Sequence, residues 1–315
     1  MGDKIAMIYL SLCIPTNGIE EWVFPVLDRI YEQNVNSDQW EVIVTDNGDN
    51  EVFHEKMLNY AEKHEKLIYK KTKAFLFENQ IEALRLASGE YLKFMNHRSL
   101  LEDGALQWML NLVKDNMDEK PIIYLSNGEL RYKKPQNYAT FDEFVRGLKE
   151  YASWTTGVGV WKSDFEKMPN DWNYNKISPH SDVLFRERGR SRYLIDDTIW
   201  SHDIDASHEK KGKYDLYKAF ACEEITITLQ LYIDGDISGD TLKYIIKCYE
   251  KCVARFYCMF NIMHIPCSYN LKGFDEAMGI FIKKRNVLWK AYMYLAQSTI
   301  NYIKNKMVQI SYLFI

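Results

Sequence analysis

Apolar and polar positions trade between two periods along the first 125 residues. Residues 5–14 form an apolar run rich in β-branched side chains, and Pro15-Thr16-Asn17-Gly18 stops it. Residues 19–33 then place apolar side chains at helical spacing, so the opening reads as strand, turn, helix. The same alternation repeats. Residues 40–45 predict a second strand ending in Asp46-Asn47-Gly48-Asp49-Asn50, and 51–64 a helix. A short strand at 67–69, a helix at 79–87, a strand at 91–95, a helix at 103–114 with Gly104 in its first turn, and a strand at 121–125 complete the series. Strand and helix in regular alternation predict an α/β fold built on a doubly wound, mostly parallel sheet.

Ligands of such sheets gather at the carboxyl ends of the strands. Pro15-Thr16-Asn17 follows the first strand, Asp46-Asn47 the second, and Asn96-His97-Arg98 the strand that begins at Tyr91. Each cluster alone is an ordinary turn, because Pro, Asn, Gly and Asp dominate turns. All three at successive strand ends argue for one crevice, although topology does not name its ligand.

Beyond Gly212 the period becomes helical, with long apolar–polar patterns at 238–259 and 274–312. In the last of these Lys283, Lys290, Gln297 and Lys304 recur every seven residues as a narrow polar stripe. Phe281, Leu288, Trp289, Tyr292, Leu295, Tyr302, Ile303, Val308 and Ile310 make the rest broadly apolar. Such a surface is buried in the protein's own core, in an oligomer interface, or at a membrane surface.

Charge sharpens this picture. The chain carries −4 overall, yet residues 277–315 hold no Asp or Glu and six basic side chains, leaving −10 on the remainder. A basic tail on an acidic body points to anionic lipid as a partner, and away from nucleic acid. At 315 residues and 47% hydrophobic, the chain has material for one large domain with an appendage, expected at 1–212 and 213–315. No linker-like stretch, internal repeat or uncharged membrane-spanning run interrupts it, and the N-terminus reads as a first strand, not a cleavable signal. Six cysteines are scattered without a paired framework, and Cys248, Cys252, Cys258, His264 and Cys267 do not complete a zinc pattern. A cytoplasmic location is expected.

Several segments together resemble a known family. Ser11-Leu12-Cys13-Ile14-Pro15-Thr16, Glu41-Val42-Ile43-Val44-Thr45-Asp46-Asn47, Asn79 with Ala87-Ser88-Gly89-Glu90-Tyr91, and Leu100-Leu101-Glu102-Asp103-Gly104-Ala105-Leu106 occur in order and at the right spacing. This set resembles the family-2 glycosyltransferases of GT-A fold, and is similar to the branch that builds bacterial O-antigen, capsule and other surface polysaccharides. Thr155-Thr156-Gly157-Val158-Gly159-Val160 resembles the strand bordering the acceptor cleft. The resemblance implies a donor of the UDP or dTDP type, with Pro15, Thr16 and Asn17 lining the nucleotide pocket, Asp46 with Asn47 meeting the base, and Asn79 beside the donor. A carboxylate there suits the imide N–H of uracil or thymine.

The family's metal-binding aspartates are missing. Where an Asp-x-Asp run would hold a divalent cation against the leaving diphosphate, this chain has Asn96, His97, Arg98 and Ser99. Two consequences follow as alternatives. Either Arg98, with His97 and Asn96, binds the diphosphate directly and the enzyme needs no metal cofactor, or the site has degenerated into a pseudo-glycosyltransferase that scaffolds an active partner. Arg186, Arg188, Arg190 and Arg192 fall at every second position, so an extended segment would put them on one face toward the diphosphate or an acidic acceptor. An inverting transfer also needs a base for the acceptor hydroxyl. The resemblance places it after the acceptor strand, at Asp182 with His180 two residues before it, or at Asp196-Asp197. His202 and His208 are further candidates for phosphate contacts. The expectation is a transferase acting on a surface-polysaccharide or lipid-linked acceptor, cytoplasmic and peripheral to the membrane, with a homo-oligomer through the C-terminal helices as the other use of the tail.

Overall fold

The computed structural model describes residues 7–169, 171–205 and 212–311, the last eleven of these for the backbone alone. The chain divides into two compact units, one of Met1–Asp205 with Gly235–Ile237, the other of Ala206–Asp234 with Ser238–Ile315. The division falls ahead of the boundary expected after residue 212.

Among the described residues of the first unit there are ten strands: β1 (Leu10–Thr16), β2 (Trp40–Asp46), β3 (Leu67–Lys71), β4 (Tyr91–Phe94), β5 (Ser99–Leu101), β6 (Ile122–Leu125), β7 (Gln136–Tyr138), β8 (Gly159–Trp161), β9 (Tyr193–Asp196) and β10 (Ser201–Asp203). The main sheet runs β3-β2-β1-β4-β8, parallel except for β8 against β4. A second small sheet pairs β10 with β5 antiparallel, and a third runs β6-β9-β7. Strand order reverses at β1: β2 and β3 lie on one side of it, β4 on the other. The ends of β1 and β4 therefore frame the topological switch point, where open α/β sheets bind ligands.

Burial explains why the strands are central. Every residue of β2 and β4 is buried, and β1 is buried apart from Pro15. Leu12, Ile14, Val42 and Val44 meet Val23, Val26 and Leu27 of the helix Glu20–Tyr31 in one core. At the opposite strand ends the buried Glu41 carboxylate accepts from the Ser11 hydroxyl (2.6 Å), the Ser88 hydroxyl (2.9 Å) and the Gly89 amide (3.3 Å). That network is the reason for Ser-Gly before β4, since a side chain at Gly89 would run into Ser11.

Lys93 sits in the middle of β4 with 1% of its surface exposed. Its ammonium donates to the carbonyls of Phe94 (2.9 Å), Thr156 and Val158 (3.3 Å) and lies 5.0 Å over the Trp200 ring. Burial lowers its pKa to about 7. It ties the end of β4 to the Thr155–Gly157 segment that leads into β8.

The second unit is helical, with Leu216–Lys218, Glu224–Ile233, Gly239–Phe256, Phe274–Ala277 and Lys284–Ser311 as α-helices among the described residues. The pattern at 274–312 is broken where Gly279 takes a φ of +93°, a conformation that favours glycine. Lys290 does not lie on a solvated stripe: it pairs with Glu250 of Gly239–Phe256, which also accepts from Asn286 at 3.1 Å. Val287 and Ala291 are buried beside it, while Trp289, Tyr292, Met293 and Ile300 are exposed. At spacings of three, four and seven these four share the other face. The side chains of Tyr302, Ile303, Lys304, Val308 and Ile310 lie outside the described residues, as does His208. Among the described residues no helix is long and apolar enough to cross a membrane.

Candidate active site at the sheet switch point

The ends of β1 and β4 meet through side chains. The Thr16 hydroxyl lies 2.8 Å from Nδ1 of His97, and the same oxygen accepts the Gly18 amide at 3.1 Å. His97 packs edge-on against Trp22, ring centroids 5.0 Å apart. Burial, helped by the neighbouring Arg98 charge, lowers the His97 pKa to about 4, so the imidazole is neutral near pH 7.

Arg98 follows, half-buried, with Nε donating to Oδ2 of Asp203 at 2.9 Å. Asp203 also accepts the Ser99 hydroxyl at 2.6 Å, and the β5–β10 pairing sets Ser99 opposite Asp203. Among the described residues the two terminal nitrogens of Arg98 have no protein partner. Asp203 thus fixes the guanidinium through one edge and leaves the other for a ligand, the fork geometry suited to phosphate oxygens.

These residues do not suit a divalent cation of the kind the fold family uses. Asn96, His97 and Arg98 offer no carboxylate, one ring nitrogen of His97 is taken by Thr16, and Asp203 already carries a cationic partner.

The nucleotide-side residues are placed together but differ from their expected roles. Asp46 is fully buried: Oδ1 accepts the Gly48 amide at 2.8 Å, and Oδ2 accepts the Tyr69 hydroxyl at 3.1 Å and lies 3.3 Å from the Lys71 ammonium. As placed, it organises the loop and presents no free oxygen to a base. Asn79 is equally committed, donating to the carbonyls of Thr16 (3.2 Å) and Thr45 (2.8 Å) and accepting the Thr72 hydroxyl at 2.8 Å. It pins the exits of β1, β2 and β3 to one another. Asn47 gives both amide hydrogens to the carbonyls of Ala74 and Leu76, at 2.9 and 3.0 Å. Pro15 is half-buried and Asn17 exposed at the mouth. Gly48 lies so close to Asn17 that a Cβ there would stand 2.0 Å from the Asn17 carbonyl oxygen, which explains a glycine at this position.

The acceptor-side candidates separate into two kinds. His180 is buried, with Nε2 2.9 Å from the Ser153 carbonyl and Nδ1 3.2 Å from Oε1 of Gln80, and burial lowers its pKa to about 4. Both ring nitrogens are occupied, so His180 braces the helix Pro179–Leu184 and is not placed as a base. Asp182, on the same helix, accepts the Asn175 amide, and burial raises its pKa. Asp197 is held by the Ser126 hydroxyl and the amides of Leu130 and Tyr132, and Asp196 by Thr198, so this pair is structural.

The four arginines expected on one face diverge. Arg186 lies over the Trp172 ring, Arg188 pairs with Asp236, Arg190 with Asp164, and Arg192 with Glu119 and Asn137. The segment is not a continuous strand, so the two-residue period does not apply to it. His202 pairs with Glu102 at 2.7 Å on the surface. Three residues of the site had been assigned no part in it by the sequence: Asp203, Lys71 and Lys93. A lone charge inside the apolar run Tyr91-Leu92-Lys93-Phe94-Met95 was the available signal for the last.

The model of glycosyl transferase family 2 matches residues 11–172, which takes in β1 to β4, the switch point and β8. The chain belongs to that family. Its architecture is GT-A, and solved structures of S. aureus TarS share the fold. A crystal structure of TarS aligns with a TM-score of 0.55 at 14% identity over 89% of this chain and 50% of its own. TarS 1–349 in complex with UDP-GlcNAc aligns at 0.57 and 12% identity, over 89% and 83%, and its complex with UDP at 0.54 and 15%, over 87% and 80%. The chain thus spans half the length of the longer TarS structure. No curated protein is close enough in sequence to count as a match.

Proposed function

We propose that this glycosyltransferase moves a sugar from a nucleoside-diphosphate donor of the UDP or dTDP type to a surface-polysaccharide or lipid-linked glycan, with inversion and without a divalent metal. The observation that carries the reading is the Arg98 guanidinium, anchored through Nε by Asp203 beside the Thr16–His97 contact, with its terminal nitrogens unpartnered among the described residues. As the glycosidic bond breaks, negative charge grows on the leaving diphosphate. A prearranged cation and a neutral imidazole at that place stabilise it at no cost of reorganisation. Asp182 is the base for the acceptor hydroxyl in this reading, since burial already raises its affinity for a proton. The UDP-GlcNAc and UDP complexes of TarS, a protein of the same fold, support a uridine donor.

The tail is assigned to an anionic membrane surface on the cytoplasmic side. Trp289, Tyr292, Met293 and Ile300 offer an apolar face on a segment that lacks acidic residues.

Titration calorimetry with UDP and dTDP in excess EDTA, followed by a donor-consumption assay with and without chelator, tests the central claim. Binding and transfer that survive EDTA support it. Transfer that stops on chelation and returns with Mg²⁺ or Mn²⁺ overturns metal independence. Binding without turnover on any glycan or lipid-linked acceptor favours the scaffolding subunit instead.

A further inference from the structure

Phe75 is 67% exposed, the most exposed large hydrophobic side chain among the described residues. The backbone holds it there deliberately. Asn47 spends both amide hydrogens on the carbonyls immediately before and after it, those of Ala74 and Leu76. The Phe75 amide donates to Oε2 of Glu78 at 3.2 Å, and Leu76 adopts a φ of +47°, left-handed backbone that a non-glycine residue seldom takes. The loop is tied at its start as well, where the Thr72 amide donates to the Asp46 carbonyl at 2.8 Å and the Thr72 hydroxyl to Asn79. The side chains of Asn47 and Asn79 and the backbone carbonyl of Asp46 are thus occupied in displaying one benzyl group to water. Strain kept at such a place is a mark of function.

We propose that Phe75 is the platform on which the base of the nucleoside diphosphate stacks. The inference rests on the donor reading above and specifies which residue meets the base. Position favours a base over the other parts of the donor. The phosphate-binding arginine follows β4, and the order β3-β2-β1-β4 puts the end of β2, which anchors the Phe75 loop through Asn47, two strands away. Two strand spacings are about 10 Å, the scale of a nucleoside diphosphate laid out from its β-phosphate to its base. The vacancy in roles agrees with this: Asp46, Asn47 and Asn79 are consumed in building the loop, so the base meets what they display. A flat apolar ring grips any base through its π-face and leaves selectivity to polar neighbours.

Calorimetry on the full chain in EDTA tests this with two probes, UDP and inorganic diphosphate, against wild type, F75A and F75W. Because the side chain is largely in water, neither substitution threatens folding. Stacking predicts that F75A weakens UDP about ten- to a hundredfold and leaves diphosphate unchanged, while F75W retains UDP affinity. Equal UDP affinity in F75A and wild type overturns the proposal and leaves the donor reading standing. Parallel loss of UDP and diphosphate in F75A also overturns it, by showing that the loop and not the ring was needed. Wild-type protein that binds neither UDP nor dTDP overturns the donor reading and this inference together.

Discussion

Asp203 accepts the Nε–H of Arg98 at 2.9 Å, so a carboxylate on β10 orients a cation at the end of β4. In a metal-dependent transferase carboxylates at this place would hold the cation itself. Here the carboxylate holds a guanidinium, and the prediction follows. Arg98→Ala should lower kcat by about a hundred- to a thousandfold, the effect of removing a prearranged charge partner of the transition state, in assays run in EDTA. Arg98→Lys should not restore the rate, because a point charge lacks the fork. Asp203→Asn should give a smaller loss, with UDP affinity largely kept. Unchanged turnover in Arg98→Ala removes the arginine from the mechanism.

Gly48 offers a test of how tightly the β1 and β2 ends close. A Cβ at this position would stand 2.0 Å from the Asn17 carbonyl oxygen, and backbone cannot step aside as a flexible side chain does. Gly48→Ala should therefore push the two loops apart and cost about 1–3 kcal/mol in chemical denaturation. Nucleotide affinity should fall with it, since Asp46 holds the Gly48 amide. An alanine variant with wild-type stability and affinity would mean that the contact relaxes freely.

The alternating sheet was legible because its strands are apolar runs ended by turn residues: β2 and β4 lie within one residue of their expected bounds, whereas β1 starts at Leu10, five residues after the expected start. Glycosyl transferase family 2 membership was legible for the same reason, since its segments mark the strand ends. The roles of individual side chains were not. The family resemblance puts Asp46 at the base and Asn79 beside the donor, and in the structure their hydrogen bonds run to Gly48, Thr16, Thr45 and Thr72. Those partners are fixed by chain crossings that periodicity does not encode. Asp203 illustrates the limit: its link to Arg98 depends on β5 and β10, three residues each, too short for any pattern to register. The arginines at 186–192 failed in the opposite way, because a two-residue period has meaning only in a strand.

Acid should destabilise the protein through two imidazoles, the buried His180 and the half-buried His97. His97 and His180 have folded-state pKa values near 4, against 6.5 for the free side chain. Between those values the unfolded chain binds protons that the folded chain refuses, so these two groups cost nothing above about pH 6.5 and lower stability as pH falls toward 4. For His180, 5% exposed, the loss approaches roughly 3 kcal/mol at the lower end. Thermal melts of wild type and His180→Gln across this window check it. The glutamine variant should lose less stability on acidification, and identical pH slopes would show that His180 takes up its proton without penalty.

The helix Lys284–Ser311 supplies the prediction about location. Its inner face is accounted for, with Val287 and Ala291 buried and Lys290 paired with Glu250 on the neighbouring helix. Its outer face carries Trp289 at 63% and Tyr292 at 60% exposure, followed by Met293 and Ile300, and no acidic residue lies anywhere after Glu276 to repel an anionic surface. Trp and Tyr side chains favour the headgroup boundary, where an apolar body and a polar tip are both satisfied. Triple replacement of Trp289, Tyr292 and Met293 by Ser should leave folding intact, because all three side chains are in water, and should reduce co-sedimentation with phosphatidylglycerol vesicles at least tenfold. Wild-type binding should weaken with added salt, as attraction between the basic tail and the headgroups is screened. Vesicle binding equal in the two proteins removes the membrane assignment, and a wild-type dimer in sedimentation velocity that the triple variant turns into a monomer assigns the face to a second copy of the chain.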